Sequence, residues 1–158
     1  MAKKGKRKAA PGDVATNRQA AFRYDLLERV EAGMQLQGSE VKSLREAKAV
    51  MSDAYATVKN NEAWLINLQV TEYPWANRWN HVPKRDRKLL LHRREIDKLD
   101  VASAQAGYTI LPLEIYLKQG KIKVLLGVCK GKRQYDKRQD QKKKDATRDI
   151  EAALRRQR

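Results

Sequence analysis

The chain has 158 residues, 41% of them hydrophobic, with one cysteine, Cys129. That is enough for one domain with a real core and hardly for two, and it excludes an internal disulfide. No apolar run approaches the roughly 18 residues of a membrane span, and the start, Met1-Ala-Lys-Lys-Gly-Lys-Arg-Lys, lacks the apolar stretch of a secretory signal. The expectation is a cytoplasmic protein without a membrane partner. Lys and Arg number 35 against 19 Asp and Glu, a net charge of +16, of which +5 lies in residues 1–12 and +6 in residues 131–158. Basic ends on a modestly charged body point to a polyanion, since each phosphate neutralised by Lys or Arg releases condensed counterions. An acidic lipid surface fits less well, because past Met1 the N-terminal cations have no large apolar neighbour to insert.

Residues 1–16 show no hydrophobic period and read as a disordered basic N-terminus. Residues 17–32 are ambiguous between helix and strand. Between Gly33 and Gly38, Met34 and Leu36 alternate with Gln35 and Gln37, the pattern of a half-buried strand. Ser39 then caps a short helix over 40–48, with Val41 and Leu44 inward and Lys42 and Arg45 outward. Two β-rich runs, 54–58 and 63–70, flank Asn60-Asn61-Glu62 as a hairpin. Residues 72–86 form a loop with two prolines, and the spacing of Leu89, Leu90, Ile96 and Leu99 predicts a helix from Arg87 to about Ala106. A second hairpin joins 108–117 to 121–128 through Lys118-Gln-Gly120, and Cys129 follows its apolar end as a core residue. Hairpins, an earlier strand and about three flanking helices predict a mainly β domain over 17–130, a small closed or partly closed antiparallel barrel. From Gly131 to Lys144 there is no aliphatic side chain; beyond it only Ala146, Ile150 and Leu154 recur at helical spacing. Residues 131–158 therefore read as a basic tail, unstructured when free and helical when a polyanionic surface holds it.

Residues for catalysis are scarce. His81 and His92 have no carboxylate or thiol at ligand spacing, so no metal site is expected, and the phosphate-loop and dinucleotide fingerprints are missing. No cofactor and no enzyme activity is expected. Residues 73–85, by contrast, mix Tyr73, Trp75 and Trp79 with Arg78, Lys84 and Arg85, where rings can stack on bases while cations meet phosphates. The equally weighted reading is that the tryptophans pin the loop to the barrel. Arg85, Arg87, Lys88, Arg93 and Arg94 are candidate phosphate contacts along one helical region, with a solvated face as the plain alternative.

Four stretches carry a resemblance. They are Asn17-Arg18 with Tyr24; Glu31-Ala-Gly33 through Gln37-Gly-Ser-Glu-Val-Lys-Ser-Leu-Arg45 to Lys48-Ala49 and Ser52-Asp-Ala-Tyr55; Arg87-Lys-Leu-Leu-Leu91; and Lys130-Gly-Lys-Arg-Gln-Tyr-Asp-Lys-Arg138. In these the chain closely resembles the small protein B family, the SsrA-binding proteins of bacterial trans-translation. The resemblance implies an oligonucleotide-binding-like barrel that holds the transfer-RNA-like domain of transfer-messenger RNA and accompanies it into stalled ribosomes, as a monomer. It implies an RNA-binding face at Glu31, Leu90 and His92, with Asn17, Arg18 and Tyr24 nearby. Gly33, Glu40, Lys42, Arg45, Lys48, Arg87, Lys88 and Lys130 complete the expected RNA contacts.

The resemblance further implies a ribosome-binding tail that enters the empty messenger channel. Asp136, Lys137 and Arg138 then lie near the small-subunit decoding centre, with Gly131, Lys132, Arg133, Tyr135, Lys142, Lys143, Lys144, Ile150 and Leu154 along the same segment. Phe22 and Tyr135 stand where relatives often have histidine. The alternative class is a structural ribosomal protein whose basic extensions thread ribosomal RNA permanently.

Overall fold

The computed structural model describes residues 12–156. The chain order is β1 (Asp13–Thr16), α1 (Arg18–Arg23), β2 (Tyr24–Met34), α2 (Gly38–Arg45), β3 (Ala49–Val50), β4 (Tyr55–Lys59), β5 (Glu62–Ile66), β6 (Gln69–Val70), β7 (Arg87–Leu90), α3 (Arg93–Ala104), β8 (Tyr108–Lys118), β9 (Lys121–Gly131) and α4 (Gln134–Arg156). Strands β8, β4, β5, β7, β2 and β9 pair in that order, and β9 pairs back onto β8. The sheet thus closes on itself as a barrel-like antiparallel ring, which removes the open edges its strands would otherwise present. β1 adds beside β8, and β3 with β6 forms a separate two-stranded ribbon.

Two tight turns set the register. Asn60 (φ 50°) and Asn61 (φ 62°) join β4 to β5, and Gln119 (φ 52°) and Gly120 (φ 74°) join β8 to β9. Positive φ at both central residues matches the right-handed twist of the flanking strands, and Asn and Gly accept it most readily. Alternation then sends Ala63, Leu65, Leu89, Ile110, Ile115, Val124 and Leu126 into the ring, where they are buried with Leu44, Leu68 and Val70. Each of the larger aliphatic side chains contributes about 1.5–3 kcal/mol by leaving water. Helix α3 packs across β4 and β8 through Leu99, which is fully buried.

Several local expectations differ from the structure, each for a physical reason. Residues 1–11 of the expected disordered N-terminus lie outside the described residues, but Asp13–Thr16 is strand β1, because β8, a hundred residues away, supplies its partner and covers Val14. The ambiguous 17–32 stretch divides at Tyr24 into α1 and β2, and β2 ends at Met34, so the strand expected over 33–38 is only its last two residues. Helix α2 begins at Gly38 rather than after Ser39: the Gln37 N–H donates to Glu40 Oε2 (2.7 Å), so the cap lies two residues earlier. The helix expected from Arg87 is strand β7 followed by α3. Arg87 and Leu89 are buried and Leu90 is exposed, a strand alternation hidden by an arginine at an inward position.

Candidate nucleic-acid interface

Antiparallel pairing sets Gly33 of β2 opposite Leu90 of β7, and α3 starts three residues later at Arg93. Around this junction Glu31, Gly33, Lys88, Leu90, His92 and Lys123 line an open depression of about 640 Å³. Gly33 lets the two strands approach closely, since a Cβ there would lie 3.2 Å from Leu90 Cβ and push it back by a few tenths of an ångström. Leu90, 54% exposed, projects from the barrel wall, and His92, exposed, has its N–H held by Glu95 Oε2 at 2.9 Å. Glu31 accepts the Tyr116 hydroxyl on one oxygen and Lys118 Nζ on both (3.1 Å). Tyr116 and Lys118 hold the Glu31 carboxyl below its ordinary range. Burial and Glu31 push the Tyr116 phenol up to about 12. Glu31 is therefore an ionised, oriented acceptor beside an apolar knob and an imidazole, with Lys123 supplying positive charge. Such a surface offers an acceptor for base amino groups or ribose hydroxyls, and an edge for packing.

A second depression, about 340 Å³, holds Asn17 and Tyr24 with Arg23 and Tyr55; Arg18 lines the adjoining groove beside Leu26 and Leu113. Most of the Asn17 side chain is engaged by the fold. Its Oδ1 accepts from Ala20 N–H (3.2 Å) and caps α1, while its Nδ2 donates to Pro112 O (3.1 Å). Its own N–H reaches Leu113 O at 2.7 Å. Those carbonyls are presented by the irregularity between Pro112 and Glu114, where β8 steps out of register with β9. Arg18 and Arg23 are exposed, Tyr24 is half-buried and Tyr55 exposed, so this face offers two cations and two rings.

Glu40 and Arg87 do not join either face. Both are wholly buried: Glu40 Oε1 accepts from Arg87 Nε (2.9 Å) and from Arg85 Nε (2.8 Å), and Arg87 also donates to the carbonyls of Leu68, Pro83 and Arg85. Burial alone pushes Glu40 up, but Arg85, the Gln37 N–H and Arg87 more than offset it and keep Glu40 ionised. Burial draws Arg87 down against the pull of Glu40, and the guanidinium stays a cation. The expectation that Glu40 and Arg87 touch RNA is thus corrected: they are an internal ion pair joining α2, β7 and the 72–86 loop. Lys42 and Arg45 do lie on the outer face of α2, but Lys48 is half-buried and paired with Glu46 at 2.5 Å. Lys88 is paired with Glu62. Lys130, at the end of β9, is exposed and stands over Tyr108.

His81 is buried, with Nε2 3.0 Å from Val70 O and Nδ1 2.9 Å from Ser39 Oγ. A carbonyl only accepts, so Nε2 carries the proton, and His81 ties the loop to β6 and α2. Cys129 is 1% exposed and burial pushes its thiol up, as expected of a core residue. The tryptophans do not pin the loop: Trp75 is 80% and Trp79 83% exposed. Among the described residues no group of three or more His, Cys, Asp or Glu can hold a metal, and no helix is long and apolar enough to cross a membrane.

Helix α4 leaves β9 through Lys132. Its Nζ lies 2.5 Å from Asp140 and 3.7 Å from Asp25, and its N–H donates to Arg23 O at 3.0 Å. Lys144 sits 5.7 Å over the Phe22 ring. Asp136, Arg138, Lys142, Lys143 and Lys144 are exposed, as are Gly131 and Arg133 ahead of the helix; Lys137 is half-buried, and Ile150 and Leu154 are 62% and 60% exposed. The tail projects a cationic helix whose few apolar side chains meet solvent.

Residues 14–156 match the SmpB protein family model, nearly the whole described chain. The chain belongs to the SmpB family. It is 50% identical to the SsrA-binding protein of Staphylococcus aureus over 144 residues, covering 91% of this chain and 94% of that one. It is 48% identical to those of Staphylococcus carnosus and Levilactobacillus brevis, covering 94–95% of this chain and 96% of each relative. A chain in a solved structure described as "tmRNA-SmpB: a journey to the center of the bacterial ribosome" is similar in fold, with a TM-score of 0.67 and 41% identity. The match covers 79% of this chain and 87% of that one. The sequence reading of this SmpB chain missed Tyr116 and Lys118 as the holders of Glu31. Their signal was available in part, because alternation in β8 and β9 sets Tyr116 opposite Lys123 and Lys118 opposite Lys121; the bond to β2 was not.

Proposed function

We propose that the chain is an RNA-binding adaptor of trans-translation. In this reading the barrel grips the transfer-RNA-like domain of transfer-messenger RNA, delivers it to stalled ribosomes and places its basic tail in the empty messenger channel, in the cytoplasm and without catalysing a reaction. The observation that carries it is near-full-length identity of about half with proteins named for binding SsrA. The solved structure of similar fold adds a ribosomal setting. The division of labour is supported by geometry: Glu31, Leu90 and His92 share one depression on the barrel, whereas α4 exposes Lys142, Lys143 and Lys144 outside it. Asn17, Arg18 and Tyr24 extend the barrel surface, and Asp136, Lys137 and Arg138 begin the part that reads the channel.

In the free protein the tail loses its helix readily, since α4 has few apolar contacts to hold it. A messenger already in the channel excludes it by volume and charge. Truncation after Lys130 tests the reading: affinity for the transfer-RNA-like domain stays within a few-fold while tagging of nascent peptides on stalled ribosomes is abolished. Equal loss of both would refute the division.

A further inference from the structure

We propose that the loop carrying Trp75 and Trp79 is a third RNA-contacting element, a stacking platform for unpaired bases, separate from the barrel depression and from the tail. The proposal rests on the reading that the partners of this chain are RNA. Trp75 and Trp79 are the two most exposed large hydrophobic side chains among the described residues. Rings left so bare contribute nothing to the core, yet the backbone beneath them is firmly built. Asn80 Oδ1 accepts from the N–H groups of Tyr73 (3.1 Å) and His81 (3.2 Å), and its Nδ2 donates to Tyr73 O (2.8 Å). Buried His81 then fastens the loop to Val70 and Ser39, and Val70 N–H donates to Pro83 O at 3.0 Å. Between these anchors Ala76 N–H donates to Tyr73 O and Trp79 N–H to Ala76 O, two successive turns that carry the indoles.

A pre-ordered loop that exposes two indoles loses little conformational entropy when something stacks on them. The surrounding charge selects nucleic acid as the occupant. Arg78 lies between the two tryptophans, Lys84 follows, and Lys42 of α2 sits 5.4 Å over the Tyr73 ring. Among the described residues none of these three cations has an ion-pair partner, whereas Arg85 in the same loop is consumed by Glu40. The carboxylates Glu72 and Asp86 stand only at the two ends of the loop. Aromatic faces interleaved with free cations are what a single strand uses, bases on rings and phosphates on Lys and Arg.

The test uses full-length protein, labelled oligoadenylate and a blunt RNA duplex, with the transfer-RNA-like domain measured in parallel. Trp75→Ala and Trp79→Ala each weaken oligoadenylate binding by roughly 5- to 150-fold, the range for loss of one stacked base. Trp→Phe at either position restores most of it, and affinity for the duplex and for the domain changes less than about twofold. The tryptophan effect survives a rise in salt that suppresses the phosphate contacts. Unchanged oligoadenylate binding by the double variant overturns the proposal. So does an equal loss for the duplex, or loss of ribosome association with oligoadenylate binding intact, which would show that the loop acts without stacking unpaired bases. Failure of the wild-type chain to bind the transfer-RNA-like domain is a separate result, and it strikes the adaptor reading itself.

Discussion

The buried ion-pair hub of the barrel and the tail helix α4 use charge in opposite ways. Around Glu40, two guanidiniums and a row of backbone carbonyls satisfy one another, so charge there fixes α2, β7 and the 72–86 loop in a single arrangement. Along α4 Arg138, Lys142, Lys143 and Lys144 face solvent, and the helix meets the body near Lys132 and Phe22. Arg87 is hidden from any ligand and Arg85 is engaged by Glu40 at its edge, whereas the exposed basic residues of α4 are available to any polyanion. Counting Lys and Arg in the sequence does not separate them; burial does.

The sharpest way to break this contrast is Arg87→Ala, which leaves Glu40 buried with Arg85 as its remaining guanidinium partner and frees several carbonyls. Breaking a buried pair costs about 3–5 kcal/mol, read as a lowered urea midpoint. Triple alanine replacement of Lys142, Lys143 and Lys144 should move the same midpoint by less than about 0.5 kcal/mol while reducing the salt dependence of ribosome binding. A comparable loss of stability from both variants would erase the distinction.

An intermediate effect is expected on the outer face of the ring, toward which Gly127 points between the inward-facing Leu126 and Val128. A Cβ at Gly127 would lie 2.6 Å from Leu26 Cδ1 and 2.9 Å from Leu113 Cδ1, so Gly127→Ala displaces the ends of both side chains, and because Leu26 is 38% exposed and can yield, the cost is about 1 kcal/mol. The displacement is confined to the barrel, and tail-dependent rescue should persist wherever the protein remains folded.

A smaller effect concerns the junction itself. Lys132 holds the Asp140 carboxyl below its ordinary 3.8, and Asp140 holds the Lys132 ammonium above its ordinary 10.5. A depressed acid contributes fully above its unfolded value and loses that contribution as pH falls through the folded one. A raised base contributes fully below its unfolded value and loses it as pH rises through the folded one. The junction is therefore intact across neutral pH and opens below about pH 4 or above about pH 10.5. A spin label on Ala153→Cys, whose broadening of α1 amides reports the tail position, should follow that window. Cys129 is buried and does not compete for the label. Lys132→Met should remove the dependence, and an unchanged profile in that variant would assign it elsewhere.

Both hairpins and the closed sheet were legible because Asn60-Asn61 and Gln119-Gly120 are local signals between alternating runs. β1 and β7 were not, because their evidence is distant: β1 needs β8, and the inward place of Arg87 makes sense only once Glu40 is known to face it. The same gap explains the site. Leu90 and His92 came through the family resemblance, whereas Tyr116 and Lys118 reach Glu31 across the strand order, which no spacing along the chain reveals. The exposure of Trp75 and Trp79 was equally hidden, since a ring in a proline-bounded loop has the same letters whether it faces inward or outward.

Because Lys132 fastens one end of a 23-residue helix, the distance from barrel to tail tip is set by backbone rise. At 1.5 Å per residue α4 is about 34 Å long. Tilting it by about 20° at its root would swing Leu154 through roughly 10 Å, and deleting seven residues would shorten it by a similar length. While it is helical, α4 thus sets a reach as well as carrying charge.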